Sequence, residues 1–230
     1  MAALDGRNPG GGRRARQRHE RLVGEGEVAA IQLTLVRHGA TVWNATGRFQ
    51  GTSDVELSQR GYDQAAALAR RLAGERIDRI YSSDLVRALE TARVIAEPHA
   101  LDVASDDRLR EFAFGEWEGL TWPQIVANRP HLAEAGATAA ADYAPEGGET
   151  FAQVAARLRS FFDELRARSD AHVVLVTHAG PLHAALTVLD VAADAAGAAF
   201  SPAGVTRIAM EPAGARLISL NDVRHLHSPG

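Results

Sequence analysis

Two short apolar runs stand out along the chain. The first, Ile31-Gln32-Leu33-Thr34-Leu35-Val36, stops abruptly at Arg37-His38-Gly39. The second, His172-Val173-Val174-Leu175-Val176-Thr177, stops the same way at His178-Ala179-Gly180. Runs of this length, rich in β-branched side chains, predict strands buried on both faces. Between them the period lengthens. A helix is expected behind Ser58 as N-cap, with Leu57 and Tyr62 as a hydrophobic staple and Gly74 as its stop. Its buried face reads Tyr62, Ala65, Ala66, Leu68, Ala69, Leu72 and Ala73. Ile77–Tyr81 suits a second strand, and Ser82-Ser83-Asp84 would cap a helix over 85–97 that ends before Pro98. A short strand is expected near Leu101–Ala104 and a short helix near 121–128. Thr150 and Gln153 form a capping-box pair ahead of apolar residues at 151, 154, 155, 158, 161, 162 and 165. A helix over 181–189 and two hairpin strands, Val205–Glu211 and Ala215–Leu220, complete the pattern. Strands alternating with helices predict a three-layer α/β/α sandwich with a mainly parallel sheet.

Composition narrows this picture. The chain has 230 residues, 46% hydrophobic and 23% charged, which suits one domain with a sizeable core. A net charge of −4 makes no case for nucleic acid or a membrane surface as partner. Nor is there an apolar run of about 18 residues to span a bilayer. Residues 1–30 differ, with six arginines against four acids and Gly10-Gly11-Gly12. They read as a disordered basic arm preceding a domain over 31–230. The arm lacks the apolar core of a secretory signal, so a cytoplasmic location is expected. Cysteine is absent, and all 25 basic residues are arginine. Thiolate nucleophiles, zinc–sulfur sites, Schiff-base chemistry and a Walker lysine are thereby excluded.

Ligands of open α/β sheets bind at the carboxyl ends of strands. Two strands of one sheet ending in His38 and His178, with Arg37 beside them, would make that edge cationic and suited to an anion. The remaining histidines show no metal-ligand spacing, so neither a metal nor a cofactor is called for. Further on, Glu111-Phe112-Ala113-Phe114-Gly115-Glu116-Trp117-Glu118-Gly119 mixes acids, aromatics and glycines.

Leu35-Val36-Arg37-His38-Gly39-Ala40-Thr41 with Asn44 resembles the signature of the histidine phosphatase superfamily, the phosphoglycerate mutase-like family. Four further stretches resemble it in order: Gly47–Gly51 with Asp54 and Leu57, Ser82–Ala92, Leu109–Gly119, and Thr177–Gly180. The resemblance implies that His38 is a nucleophile forming a phosphohistidine. It implies that Arg37 and Arg87 hold the phosphoryl oxygens, with His178 as a second donor and positive charge. Asn44, Gln50, Gly51 and Ala179 would lie around the phosphate. Glu111 would give the leaving oxygen its proton, with Glu116 and Glu118 as competitors. The implied activity is metal-independent hydrolysis of a small phosphate ester, and a homodimer is compatible with it. A phosphoglycerate mutase is the alternative enzyme, and a non-catalytic binding protein the alternative of another class. The mutase is disfavoured because residues 111–156 hold seven acids and one arginine, Arg129, where extra substrate charge would need cations.

Overall fold

The computed structural model describes residues 30–130, 132, 144–191 and 199–227. The arm expected over 1–30 lies outside these residues except for Ala30, as do Glu134 and Asp142.

Six strands form one sheet: β1 (Ile31–Arg37), β2 (Arg79–Ser82), β3 (Val103–Ser105), β4 (His172–Thr177), β5 (Val205–Glu211) and β6 (Gly214–Asp222). Their spatial order is β3-β2-β4-β1-β5-β6. The β3–β2, β2–β4 and β4–β1 pairs are parallel, while the β5–β6 hairpin adds antiparallel pairs at the β1 edge. In register, Arg37 faces Thr177, and His38 N donates to Thr177 O at 2.9 Å. The two histidine-bearing ends therefore lie side by side.

β1 and β4 are buried on both faces, and their alternating residues feed two cores. Leu33, Leu35, Val173 and Leu175 meet α5 (Phe151–Arg166) and α6 (Ala179–Val188) through Leu158, Phe161, Phe162 and Leu182. On the other face, Val36, Val174 and Val176 meet α2 (Gln59–Leu72) and α3 (Val86–Ala96) through Leu68, Leu72 and Ile95. Each such fully buried leucine contributes about 1.5–3 kcal/mol relative to exposure. Two smaller helices, α1 (Val42–Ala45) and α4 (Trp122–Asn128), lie off this frame. Among the described residues no helix is long and apolar enough to cross a membrane.

Two expectations need correction. Tyr62 is not on the buried face of α2; it is 38% exposed, and Ala73, expected on the same face, is exposed at the C-cap. The buried stripe is Gly61, Gln64, Ala65, Leu68, Ala69 and Leu72. The helix is turned so that Gly61 lies against Gly39, where a β-carbon on Gly39 would sit 2.5 Å from Gly61 O. Backbones approach this closely only through glycine. Secondly, α3 is not capped by Ser82-Ser83-Asp84. Its N-cap is Leu85, and the Val86 amide donates to Asp54 Oδ1 at 2.7 Å, from a distant loop.

Candidate active site

The turn after β1 is held from behind. Gly39 N donates to Thr91 Oγ1 at 3.0 Å, and Thr91 in turn donates to the Arg87 carbonyl at 2.7 Å. Ala40 N donates to Gln64 Oε1 at 2.9 Å, and Ala40 O accepts from both the amide and the hydroxyl of Ser58. The amides of Gly39 and Ala40 are thus committed to the protein, which leaves anion binding to side chains and to later segments.

Those side chains converge on a cavity of about 280 Å³, lined by Arg37, His38, Asn44, Gly47, Arg48, Phe49, Gln50, Arg87, Glu111, Phe114 and Ala179. His38 is 2% exposed, and its Nδ1 lies 2.7 Å from Gly39 O. A carbonyl only accepts, so Nδ1 carries the proton and Nε2 keeps its lone pair. His178 lies beside it, with ring centroids 5.0 Å apart. Neither nitrogen of His178 has a hydrogen-bond partner among the described residues, and the side chain is fully buried. Burial, then the neighbouring guanidinium groups, hold the pKa of both imidazoles well below the ordinary 6.5. Burial and the neighbouring guanidinium groups thus work against the positive charge expected on His178.

Arg87 is completely buried and spends two donors on backbone, Nη1 to Ser53 O at 2.8 Å and Nη2 to Gly51 O at 2.6 Å. Its Nε has no partner among the described residues. Arg37 donates from Nη1 to Phe200 O and likewise keeps an unpartnered buried Nε. Burial lowers the pKa of both guanidinium groups, with Glu111 opposing it, yet arginine stays charged at neutral pH. The Asn44 carbonyl oxygen accepts from Thr41 N at 3.0 Å, which turns its amide nitrogen the other way. Gln50 Oε1 accepts from the Thr41 hydroxyl at 3.0 Å. Gly51 does not line the cavity; its contribution is the carbonyl that holds Arg87.

The three glutamates separate by environment. Glu111 is 9% exposed; Oε1 accepts from Phe112 N at 3.0 Å, and Gly180 N lies 3.5 Å from Oε2. Burial raises its pKa, against the pull of these amides and of Arg87 and Arg37. A β-carbon on Gly180 would sit 2.4 Å from Glu111 Oε1, so the start of α6 can rest on the carboxyl only as glycine. Glu116 pairs with Arg129. Burial raises the pKa of Glu118, but hydrogen bonds from Ser53, Thr52 and Phe114 outweigh it, and the net shift is downward. Only Glu111 faces the cavity with a raised pKa.

The sequence profile of the histidine phosphatase superfamily (branch 1) matches residues 33–223. The chain belongs to the histidine phosphatase superfamily. Glucosyl-3-phosphoglycerate phosphatase of Mycobacterium tuberculosis is 42% identical to this histidine phosphatase over 181 residues, 72% of this chain and 79% of the relative. Phosphoserine phosphatase 1 of Hydrogenobacter thermophilus is 38% identical over 155 residues, 67% of this chain and 74% of its own. A solved mycobacterial glucosyl-3-phosphoglycerate phosphatase superposes with a TM-score of 0.73 at 37% identity, over 84% of this chain and 99% of the other. A phosphoglycerate mutase of Bacillus anthracis shares the fold, with a TM-score of 0.76 at 23% identity over 86% and 96% of the two chains.

Several residues that hold this histidine phosphatase site escaped sequence reasoning. Arg157 of α5 donates to the backbone carbonyls of Arg108 (2.7 Å) and Glu111 (3.1 Å). It also pairs with Glu149, which accepts from Ala113 N at 3.0 Å. These contacts fix the segment that carries Glu111. Gln64 and Thr91 fix the turn that carries His38. Each stands among apolar neighbours on the inner face of its helix, and a polar residue in such a position is the available signal. Arg48 is a further cation in the cavity.

Proposed function

We propose that this histidine phosphatase hydrolyses small phosphomonoesters through a phosphohistidine on His38 Nε2. The observation that carries the reading is the His38 Nδ1–Gly39 O contact at 2.7 Å, because it leaves a neutral, nucleophilic Nε2 beside two buried arginines. In the first step Nε2 attacks phosphorus and the P–O bond to the leaving group breaks, while Glu111 gives its proton to the departing oxygen. Water then attacks phosphorus, the P–N bond breaks, and Glu111 takes the proton back. Arg37 and Arg87 hold the charge on the equatorial oxygens, with Asn44, Gln50 and His178 as further donors and Ala179 at the positive end of α6. Phosphoryl transfer asks for positioning and charge more than covalent chemistry, and these groups supply both. In this reading the phosphate charge is neutralised by the two buried arginines.

The substrate we propose carries a second anionic group. A phosphate dianion is balanced by Arg37 and Arg87, which leaves Arg48 in the same cavity in excess. The names of the two curated relatives describe phosphorylated carboxylic acids, and Arg48 suits a carboxylate in that position. Arg48 reaches the cavity from outside the acidic segment 111–156.

The test is a short pulse of substrate labelled in its phosphoryl group. Wild type is expected to retain acid-labile label and His38→Ala none. Label on His38→Ala would refute the assignment.

A further inference from the structure

Glu118 stands apart from the reaction path proposed above, yet its carboxylate is the most heavily hydrogen-bonded side chain near the cavity. Oε1 accepts from Thr52 N (2.9 Å), Thr52 Oγ1 (3.1 Å) and Phe114 N (3.2 Å), and Oε2 accepts from Ser53 N (2.9 Å) and Ser53 Oγ (2.6 Å). Five donors saturate the carboxylate, so it has no capacity left to hold or release a proton for substrate. The loop it grips presents two carbonyls, Gly51 O and Ser53 O, and both accept from the Arg87 guanidinium. Gly51 itself has φ +53°, and a β-carbon there would lie 2.1 Å from Glu118 Oε1. Carboxylate and loop are thus packed in contact.

We infer that Glu118 is a positioning residue for Arg87: it fixes the Gly51–Ser53 carbonyls, and these fix the guanidinium against the phosphate. Two of the five guanidinium N–H groups are spent on the loop carbonyls, and the direction of the other three follows from that anchorage. Arg87 is buried and feels Glu111, Asp54 and Glu118 electrostatically, but among the described residues the hydrogen bonds that hold it run to the loop carbonyls. The inference rests on the reading of Arg87 as a phosphate-holding group.

The sign of the effect separates this role from a purely electrostatic one. Removing a negative charge from the neighbourhood of Arg87 would, by charge alone, tighten anion binding. Loss of positioning weakens it, since each hydrogen bond to a charged group that is lost costs roughly 10- to 100-fold in affinity. Inorganic phosphate affinity is to be measured by calorimetry for wild type, Glu118→Ala, Arg87→Ala and the double variant. Glu118→Ala is expected to weaken binding roughly 10- to 100-fold. In the Arg87→Ala background the same change is expected to cost less than about twofold, since non-additivity marks residues acting through one another. Thr52→Val with Ser53→Ala keeps the carboxylate but removes two of its five donors, and serves if Glu118→Ala does not fold. A smaller loss in the same direction is expected for it. Glu116→Gln is the control, since Glu116 pairs with Arg129, and should bind phosphate as wild type does.

Unchanged or tighter phosphate binding in Glu118→Ala, or an equal loss in both backgrounds, would overturn the inference. If Arg87→Ala weakens binding while Glu118→Ala does not, the phosphatase reading stands and this inference falls. Wild type that binds no phosphate at all would defeat the functional reading first.

Discussion

His38 Nδ1 lies 2.7 Å from the carbonyl oxygen of its own neighbour, Gly39, so the tautomer of the reactive ring is set by the backbone that carries it. Burial and the arginines also hold its pKa well below 6.5. Nε2 therefore stays unprotonated through mildly acidic pH. Single-turnover phosphorylation is expected to remain undiminished as pH falls through 6.5 and to drop only well below it. On the alkaline side it declines as Glu111 loses its proton, above the ordinary carboxyl value of 4.5. An acid limb centred at 6.5 or higher would contradict this ring environment.

Glu111 and its rivals are separable by leaving group. An alkyl phosphate expels a basic alkoxide that needs a proton, whereas p-nitrophenyl phosphate expels a stable phenolate. General acid catalysis contributes on the order of 10²–10⁴-fold. Glu111→Gln is expected to lose that much in single-turnover phosphorylation by alkyl substrates, and far less with the aryl one. Glu118→Gln should affect both alike. Equal losses for Glu111→Gln would reduce Glu111 to a positioning role.

The same substitution makes a stability prediction of opposite sign to the catalytic one. Glu111 has a raised folded-state pKa, so the folded protein binds its proton more tightly than the unfolded chain does. Stability from this group is fully present below about 4.5 and is lost as pH rises through the folded value. Glutamine has no such loss. Glu111→Gln should therefore melt higher than wild type at pH 7, with the difference vanishing near pH 4. A Tm gain that persists unchanged at pH 4 would mean that the cause is packing rather than ionisation.

Arg48 lines the cavity and donates to Gly119 O at 2.5 Å. A hydrogen bond to a charged group is worth about 1.5–3 kcal/mol, roughly 10- to 100-fold in affinity. Arg48→Gln is expected to raise KM by that factor for phosphoserine and 3-phosphoglycerate. For glycerol 3-phosphate, which lacks the carboxylate, KM should stay within about twofold of wild type. A uniform rise across all three would mark Arg48 as a mainstay of the Gly119 turn only.

The two histidine-bearing strands were legible because both of their faces are buried, which leaves continuous apolar runs with an abrupt polar end. The helix over 151–165 was legible for a similar reason, with a strong period and a capping box that the structure reproduces. What escaped depends on partners remote in sequence. Helical period alone turns Tyr62 inward, but the phase of α2 is set by Gly39 lying on Gly61. Asp54 caps α3 across 32 residues. Glu118, which shares a motif with Glu111, differs from it through the Thr52 and Ser53 donors on another loop. Local spacing carries none of these relationships.

The sheet order has a consequence for how activity arises at all. β1 and β4 are neighbours, yet Arg37 pairs with Thr177 across about 140 intervening positions. Bringing such distant segments together is the slow, entropically costly part of folding. The helices can form early from local contacts, but the pairing of the two imidazoles must wait for the central ladder to close. Recovery of phosphatase activity during refolding should therefore trail the recovery of helical signal, so that turnover reports on closure of the β1–β4 ladder.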